Sequence, residues 1–218
     1  MNRSSFLVLK CTGAALIAAF GICAPSSAQT PAATAAVPTA ELDRAVAALR
    51  GISTLRADFT QTDRNGQRLT GVLTLKRPGR IRFQYAPGVP ILIVSDGSAL
   101  TLIDYEVRQV QRWPIRNSPL GALLDPTRDM KRYGTLQPAT DPGVVSVEVR
   151  DRQHPEYGVI NLVFVRKASA PGGLELVAWV ALDSQNKRTT IRLSNHQYGI
   201  AVADNAFRFN DPRSPTRR

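Results

Sequence analysis

The stretch Thr74–Tyr85 reads TLKRPGRIRFQY, and it contains the end of one predicted strand, a turn and the start of the next strand. Pro78 and Gly79 favour a tight turn, so the chain is expected to reverse its direction there. Before the turn, apolar residues take every second position up to Leu75, and Arg77 continues that alternation. The pattern therefore predicts a guanidinium on the face that is turned away from water, where an unpaired cation is costly.

Alternation of apolar and polar residues extends from this turn over most of the chain. The predicted strands are residues 54–62, 68–77, 80–85, 91–95, 98–104, 107–113, 143–150, 158–167, 174–183, 187–195 and 206–210. Short turns join consecutive strands, and Asn65–Gly66 and Asp96–Gly97 are typical of such turns. Because strands joined by short turns pair in opposite directions, the sequence predicts a mainly β domain with ten or eleven antiparallel strands.

A helix is predicted before the first strand, over residues 39–51. Thr39 can cap its N-terminus, and Gly51 suits its C-terminal end. Its apolar face consists of Leu42, Val46 and Leu49. The spacing of these residues is that of an amphipathic helix which packs on a core.

A second helix is predicted where the alternation stops, with Ser118 as its cap. Leu120, Leu123 and Leu124 share one of its faces, and residues 127–134 either extend it or begin a strand. We expect one strongly curved sheet with the two helical pieces on its inner face. A closed barrel would remove the sheet edges, whereas in an open half-barrel the helices would cover the core.

The N-terminal residues 1–28 have the basic, apolar and small-residue parts of a secretory signal peptide, with cleavage after Ala28. An uncleaved membrane anchor is the alternative. We expect residues 29–38 to form a flexible leader, residues 39–212 the folded domain and residues 213–218 a basic tail. The mature chain is then expected to be a soluble protein outside the cytoplasm.

Charge and residue types narrow the possible functions. The net charge of +11 favours an anionic partner or surface, but export argues against nucleic acid. Both cysteines, Cys11 and Cys23, fall in the signal segment, so neither a disulfide nor a thiolate site is expected. His154 and His196 are expected in solvated turns, and neither has ligand-like spacing. We therefore expect no catalytic residue, no metal and no cofactor; a secreted carboxylate-dependent hydrolase is the less favoured alternative.

Six segments occur in an order and at spacings that resemble one known family. They are ADFTQ (57–61), GVLTLKRPGRIRFQY (71–85), ILIVSDGSALTLID (91–104), SPLGALL (118–124), TTIRLSN (189–195) and FRF (207–209). Together they resemble the LolA family of periplasmic outer-membrane lipoprotein carriers. The resemblance covers about residues 42–212.

The resemblance implies a curved antiparallel half-barrel with a helical lid and an N-terminal helix around a hydrophobic cavity, in a periplasmic protein without cofactor. It implies three kinds of partner: lipoproteins, bound by their acyl chains, an inner-membrane lipoprotein-releasing ABC transporter complex and an outer-membrane lipoprotein acceptor. We expect a monomer that is not an enzyme. A periplasmic sensor or regulatory domain of the same fold, which binds a lipidic or protein signal, is the alternative.

The resemblance also assigns roles to individual residues. The arginine of the family's K-R-P motif falls on Arg77, and it would hydrogen-bond to the lid in the closed, empty state. We hypothesise that Arg77 is a lid latch, because its donors could bind the carbonyls at the end of a lid helix; snorkelling toward solvent is the alternative. The predicted lid residues are Leu120, Leu123 and Leu124, and the predicted acyl-chain cavity residues are Phe59, Leu73, Leu75, Ile81, Phe83, Tyr85, Leu176 and Val180. An ordinary closed core would give the same alternation.

Three further residues near these segments have two interpretations each. Trp113 precedes the lid and is expected either at its hinge or in ordinary core packing. Arg80 and Arg82 are expected to face outward, either to steer the protein toward acidic partners or anionic lipid, or simply to be solvated.

Overall fold

An eleven-stranded antiparallel sheet is the central element of the computed structural model, which describes residues 36–115 and 121–213. Its strands are β1 (Thr54–Thr62), β2 (Arg68–Lys76), β3 (Arg80–Tyr85), β4 (Ile91–Asp96), β5 (Ala99–Asp104), β6 (Gln109–Pro114), β7 (Gly134–Gln137), β8 (Val144–Arg150), β9 (Val159–Arg166), β10 (Leu174–Leu182) and β11 (Arg188–Tyr198). The helices are α1 (Ala36–Gly51), α2 (Gly121–Leu124) and α3 (Pro126–Tyr133). The predicted signal peptide, most of the predicted leader, Leu120 and residues 214–218 lie outside the described residues.

The strand order shows that the sheet is open. The order is β6-β5-β4-β3-β2-β1-β11-β10-β9-β8-β7. Strands β1 and β11 pair across a large separation in sequence, whereas the other pairs join consecutive strands. Strands β6 and β7 are the two edges, and α2 and α3 follow in sequence between them. The predicted mainly β antiparallel half-barrel is confirmed: the sheet is curved and does not close.

Alternation along β3 produces the inner face of this sheet. Ile81, Phe83 and Tyr85 are buried there. The Phe59 ring of β1 meets the rings of Phe83 and Tyr85 edge-on, at centroid distances of 5.4 and 5.1 Å. Phe59 lies opposite Gly71 on β2, and a Cβ added at Gly71 would lie 2.7 Å from Phe59 Cε1. The same Cβ would lie even closer to the backbone carbonyl of Gln84, so glycine is needed at that position.

The helices lie against the inner face. Helix α1 begins at Ala36, earlier than the predicted start at Thr39, and it packs against α3 and strands β7, β8 and β10. Its buried residues are Ala45, Val46, Ala48 and Leu49. The choice left open for residues 127–134 is settled: they are helical as far as Tyr133, in the separate helix α3 that follows α2, and β7 begins at Gly134. None of the helices in the described ranges is long and apolar enough to cross a membrane.

A β-bulge changes which residues of β10 face inward. The sequence predicted one continuous inner stripe along this strand. The register with β9 shifts between Leu176 and Ala178, and beyond the shift Val180 pairs with Asn161 on the outer face. The extra residue moves the following side chains to the opposite face, so Trp179 is buried on the inner side. The placement of Val180 in the cavity is therefore wrong.

The C-terminal strap, residues 200–210, lies on the outer face of the sheet. Residues 206–210 were predicted to form a strand, but the strap contains a 3₁₀ turn at Asp204–Phe207 instead. Phe207 packs against Leu92, Val94 and Ile103 in a small second core. The strap follows β11, which already pairs with β10 and β1 on its two sides and therefore offers no free edge.

Outward-facing basic residues hold this strap. Lys76 and Arg80 each contact Asp204 Oδ1, at 2.6 and 2.7 Å. Arg82 Nη1 donates hydrogen bonds to the carbonyls of Ala206 at 3.2 Å and of residue 208 at 3.0 Å. Arg80 and Arg82 do face outward, but they bind the protein's own C-terminal segment, which neither of their two sequence-based interpretations included.

Candidate functional site

The guanidinium of Arg77 lies between the C-terminal ends of two helices. Its Nη1 donates a hydrogen bond to Leu124 O of α2 at 2.7 Å. Its Nη2 donates to Leu123 O at 3.0 Å and to Leu49 O of α1 at 2.8 Å. The last carbonyls of a helix lack partners within the helix, and the helix dipole favours a cation beside them. One side chain thus joins the ends of α1 and α2 to strand β2.

Strand β2 and the turn that follows it fix the position of Arg77. Leu75 precedes it on the inner face and is buried. The backbone N–H of Arg77 donates to Ser53 O at 2.9 Å, which holds it beside the start of β1. Gly79 has φ +64°, and a Cβ there would lie 2.9 Å from Gly97 Cα. This turn therefore packs tightly on the turn between β4 and β5, and it requires glycine.

Arg77 is largely buried, so its positive charge must be stabilised by hydrogen-bond partners. Desolvation lowers the pKa of Arg77 to about 10, and the carboxylate of Asp125 acts in the opposite direction. The Nε atom of Arg77 is buried without a hydrogen-bond partner within residues 36–115 and 121–213. A group with a pKa near 10 remains charged at neutral pH, so the three carbonyl contacts must offset the cost of removing it from water.

Helices α2 and α3, which we call the lid helices, cover the core next to Arg77. All four residues of α2 are buried, including the predicted lid residues Leu123 and Leu124. Met130 of α3 is fully buried, and α3 packs on α1. The third predicted lid residue, Leu120, lies outside the described residues.

A half-open cavity of about 340 Å³ lies on the inner face of the sheet. Its lining consists of Gln61, Phe83, Ile93, Leu100, Trp113, Glu156, Tyr157, Trp179, Ala181, Asp183, Ser184, Thr189 and Ile191. Trp113 and Trp179 are the two tryptophans of the chain. A cavity of this size with apolar walls and a few polar groups is typical of a site for a small apolar ligand.

Polar lining residues mark the mouth of this cavity. Glu156 and Asp183 are exposed and lie in the turns that follow β8 and β10, and Gln61 lies near the end of β1. Those strand ends are opposite to the end at which Thr54 pairs with Lys76, the residue before Arg77. The cavity therefore opens at the end of the sheet that is farther from Arg77.

The predicted cavity residues divide into three groups. Phe83 lines the half-open cavity. Phe59, Leu73, Leu75, Ile81, Tyr85 and Leu176 are buried in the closed core beside it. The Tyr85 hydroxyl donates to Gln61 Oε1 at 2.6 Å, and burial raises the pKa of Tyr85 to about 12. Val180 lies on the outer face, and its place is taken by Trp179 and Ala181.

Sequence reasoning missed several lining residues. Trp179 and Ala181 were missed because the bulge before them leaves no clear signal in the sequence. Trp113 was recognised, and it lines the cavity instead of only flanking the lid. Tyr157 was missed because it lies in a turn without alternation, where its ring stacks on His154 at 4.7 Å.

The two histidines lie in different environments, one exposed and one buried. His154 is exposed, as predicted, and its Nδ1 lies 3.0 Å from Glu156 Oε1. His196 was expected to be solvated, but its side chain is only 5% exposed, and its Nε2 lies 2.8 Å from Leu176 O. Within the described part of the chain, no three His, Cys, Asp or Glu side chains form a group that could hold a metal ion.

The chain is similar in sequence to known proteins. The sequence profile of the outer membrane lipoprotein carrier protein LolA matches residues 50–210. The outer-membrane lipoprotein carrier protein of Dechloromonas aromatica (strain RCB) is 30% identical over 174 residues, which cover 75% of this chain and 80% of that protein. The protein of the same name from Xanthomonas campestris pv. campestris (strain B100) is 31% identical over 172 residues, which cover 73% and 79%. The crystal structure of a LolA superfamily protein from Nitrosomonas europaea aligns with a TM-score of 0.46 at 11% identity, over 79% of this chain and 97% of that one. The profile match and the sequence identities establish that the chain belongs to the LolA family of outer membrane lipoprotein carrier proteins.

Proposed function

We propose that this protein is a periplasmic carrier that binds the acyl chains of lipoproteins in its cavity and moves them from the inner to the outer membrane. The observation that carries the proposal is the half-open apolar cavity on the inner face of a sheet whose other end is covered by helices held by one arginine. Membership of a carrier family supports it. Such a role requires binding and release but no bond-breaking step, so the protein acts without enzymatic activity and without a cofactor.

The energetics of acyl burial imply dedicated partners on both sides. Burying one methylene group is worth about 0.8 kcal/mol, so a chain of roughly fifteen such groups favours the cavity over water by about 12 kcal/mol. Release into water is therefore negligible. Transfer becomes feasible when an acceptor offers a second apolar site, because only the difference between two burials then matters. We infer an inner-membrane lipoprotein-releasing transporter complex as donor and an outer-membrane lipoprotein receptor as acceptor.

The lid helices supply the volume that a lipoprotein needs. A cavity of about 340 Å³ is near the lower end of the range for small-molecule pockets. The larger apolar volume is the closed core beneath Leu123 and Leu124, which contains Phe59, Leu73, Leu75, Ile81 and Leu176. Movement of the lid helices would join this region to the cavity, and those residues would then line an acyl chain. In this proposal Arg77 is the latch, because opening must break its bonds to Leu123 and Leu124.

The bulge in β10 offers a matched pair of variants for the test. Ala181 lines the cavity, and its neighbour Val180 lies on the outer face. Ala181→Phe is expected to fill the cavity, whereas Val180→Phe adds a similar side chain outside it. Each protein is purified from its native periplasm and analysed by mass spectrometry for bound lipoprotein or lipid. We expect wild type and Val180→Phe to carry lipoprotein and Ala181→Phe to have lost most of it.

Binding can also be measured directly in vitro. Both tryptophans line the cavity, so tryptophan fluorescence reports on its occupancy by a palmitoylated peptide. The affinity of Ala181→Phe should fall by at least tenfold relative to Val180→Phe. Wild-type protein free of lipid, or equal binding by the two variants, would refute the carrier proposal.

A further inference from the structure

A second cleft, which we call the arginine cleft, lies beside the mouth of the cavity. It has a volume of about 320 Å³ and is lined by Arg132, Tyr133, Gly134, Thr135, Glu148, Arg150, Asp151, Arg152 and Gln153. Three of these nine residues are arginines. They come from α3, from the end of β8 and from the turn that follows it. The fold thus brings together basic residues that are separate in the sequence.

Both carboxylates of the cleft already have partners. Glu148 Oε1 lies 3.3 Å from Arg150 Nε. Asp151 accepts the backbone N–H of Gln153 at 2.9 Å, and hydrogen bonds from this N–H and from the Tyr133 hydroxyl help to lower the pKa of Asp151. These contacts leave the cleft with more positive than negative charge.

The other two arginines keep donors available. Arg132 lies over the ring of Tyr133 with its Cζ 5.1 Å from the ring centroid, which uses the face of the guanidinium but not its edge. Arg152 is exposed and makes no ion pair within the described residues. A planar guanidinium with free edge donors suits the oxygens of a phosphate group.

One turn connects the arginine cleft to the cavity. Residues 151–153 line the cleft, and Glu156 and Tyr157 line the cavity. Gln153 and Glu156 are three residues apart, so their Cα atoms lie within about 11 Å of each other. Glu148 and Arg150 alternate with the buried valines of β8, which places the cleft on the outer side of the rim. An anion in the cleft would therefore lie directly outside the mouth.

We propose that the arginine cleft binds the phosphate of an anionic phospholipid headgroup and thereby holds the mouth of the cavity against a membrane surface. Phosphate binding by the arginines does not require acyl binding. The claim that this contact presents the cavity mouth to lipid rests on the proposed carrier function. At the membrane, the contact keeps the mouth oriented toward the lipid layer.

Vesicle co-sedimentation of the mature chain tests this inference. The probes are vesicles of phosphatidylcholine alone and vesicles that also contain phosphatidylglycerol. Arg132→Gln combined with Arg152→Gln removes two cleft cations, and Arg50→Gln combined with Arg56→Gln removes two exposed arginines near the end of the sheet that is far from the mouth, as a control for net charge. Each basic residue near an anionic surface contributes roughly fivefold to binding, so the cleft variant should bind the anionic vesicles about 25-fold more weakly. The control variant should bind like wild type.

Three results would overturn the inference. Equal weakening in both double variants would mean that only total charge matters. Binding of inorganic phosphate without any vesicle association would assign the cleft to free phosphate, and binding of an acidic peptide instead of vesicles would assign it to a protein. Tryptophan fluorescence with a palmitoylated peptide is measured on the same samples. Unchanged acyl binding in the cleft variant separates a failure of this inference from a failure of the carrier proposal.

Discussion

Replacement of Arg77 by leucine is the most informative perturbation of this molecule. The change removes three hydrogen bonds, to the carbonyls of Leu49, Leu123 and Leu124. It also replaces the buried guanidinium with an apolar side chain. Hydrogen bonds that involve a charged group contribute roughly 1.5–3 kcal/mol each. The pKa of Arg77, which desolvation lowers to about 10 against the opposing effect of Asp125, corresponds to a net cost of roughly 3 kcal/mol for the buried cation. At roughly 4.5–9 kcal/mol in total, the three bonds exceed that cost by roughly 1.5–6 kcal/mol, and we assign about 2 kcal/mol, near the lower end of this range, to the closed arrangement.

This magnitude predicts two effects of opposite sign. The free energy of unfolding should fall by about 2 kcal/mol, which lowers the melting temperature by about 4–8 °C for a chain of this size. Affinity for an acyl ligand should rise, because the empty protein no longer has to break the Arg77 bonds before it binds. A loss of 2 kcal/mol from the closed state corresponds to at most about a 30-fold gain in apparent affinity. Handover to an acceptor should slow by a similar factor.

The assay is a titration with palmitoylated peptide, followed by tryptophan fluorescence, together with a thermal melt. Arg192→Leu is the control, because Arg192 is exposed on β11 and loses no contact of this kind. The control should change neither quantity by more than a small amount. If Arg77→Leu lowers the melting temperature but leaves the acyl affinity unchanged, Arg77 is a structural brace and the latch hypothesis is wrong.

Two other residues give independent predictions. Gly71→Ala should lower the free energy of unfolding by about 1–3 kcal/mol in urea denaturation, because its methyl group would collide with the backbone carbonyl of Gln84 and with the ring of Phe59; stability equal to that of wild type would contradict this packing. Hydrogen bonds from Lys76 and Arg80 lower the pKa of Asp204, so this carboxylate stabilises the strap above the usual aspartate pKa, and the effect is lost as the pH falls through its lowered value. Asp204→Asn should therefore remove part of the acid sensitivity of strap amides in hydrogen exchange, and an identical pH profile would argue against the contact.

Local patterns predicted most of the sheet, because most strands alternate between buried and more exposed residues. Strand β3 is the simplest case, since Ile81, Phe83 and Tyr85 are buried as their spacing requires. The position of Arg77 within an inner stripe was equally readable. We also expected its donors to meet the carbonyls at the end of a lid helix, where Leu123 and Leu124 lie. The additional bond to Leu49 of α1 was not expected, because a backbone carbonyl leaves no trace in the residue types.

Features that depend on tertiary contacts were predicted less well. The bulge in β10 adds one residue, and no glycine or proline marks it in the sequence. The residues after the bulge were therefore assigned to the wrong face of the sheet. The strap was mistaken for a strand because Phe207 and Phe209 alternate. Its actual place could have been inferred from ILIV in β4, where consecutive apolar residues indicate a strand that is covered on both faces.

The separation of the latch from the mouth constrains how the lid helices can move. Helix α2 ends at the Arg77 contacts, whereas α3 continues directly into β7, which pairs with β8 along the edge of the sheet. The end of α3 at Tyr133 also borders the arginine cleft. In the proposed mechanism, release of Arg77 would free the α2 end, and the helical segment would turn about its junction with β7 at Gly134. Because the pivot lies beside the cleft, a membrane contact there would hold the fixed end of the lid while the opposite end opens over the acyl-binding core.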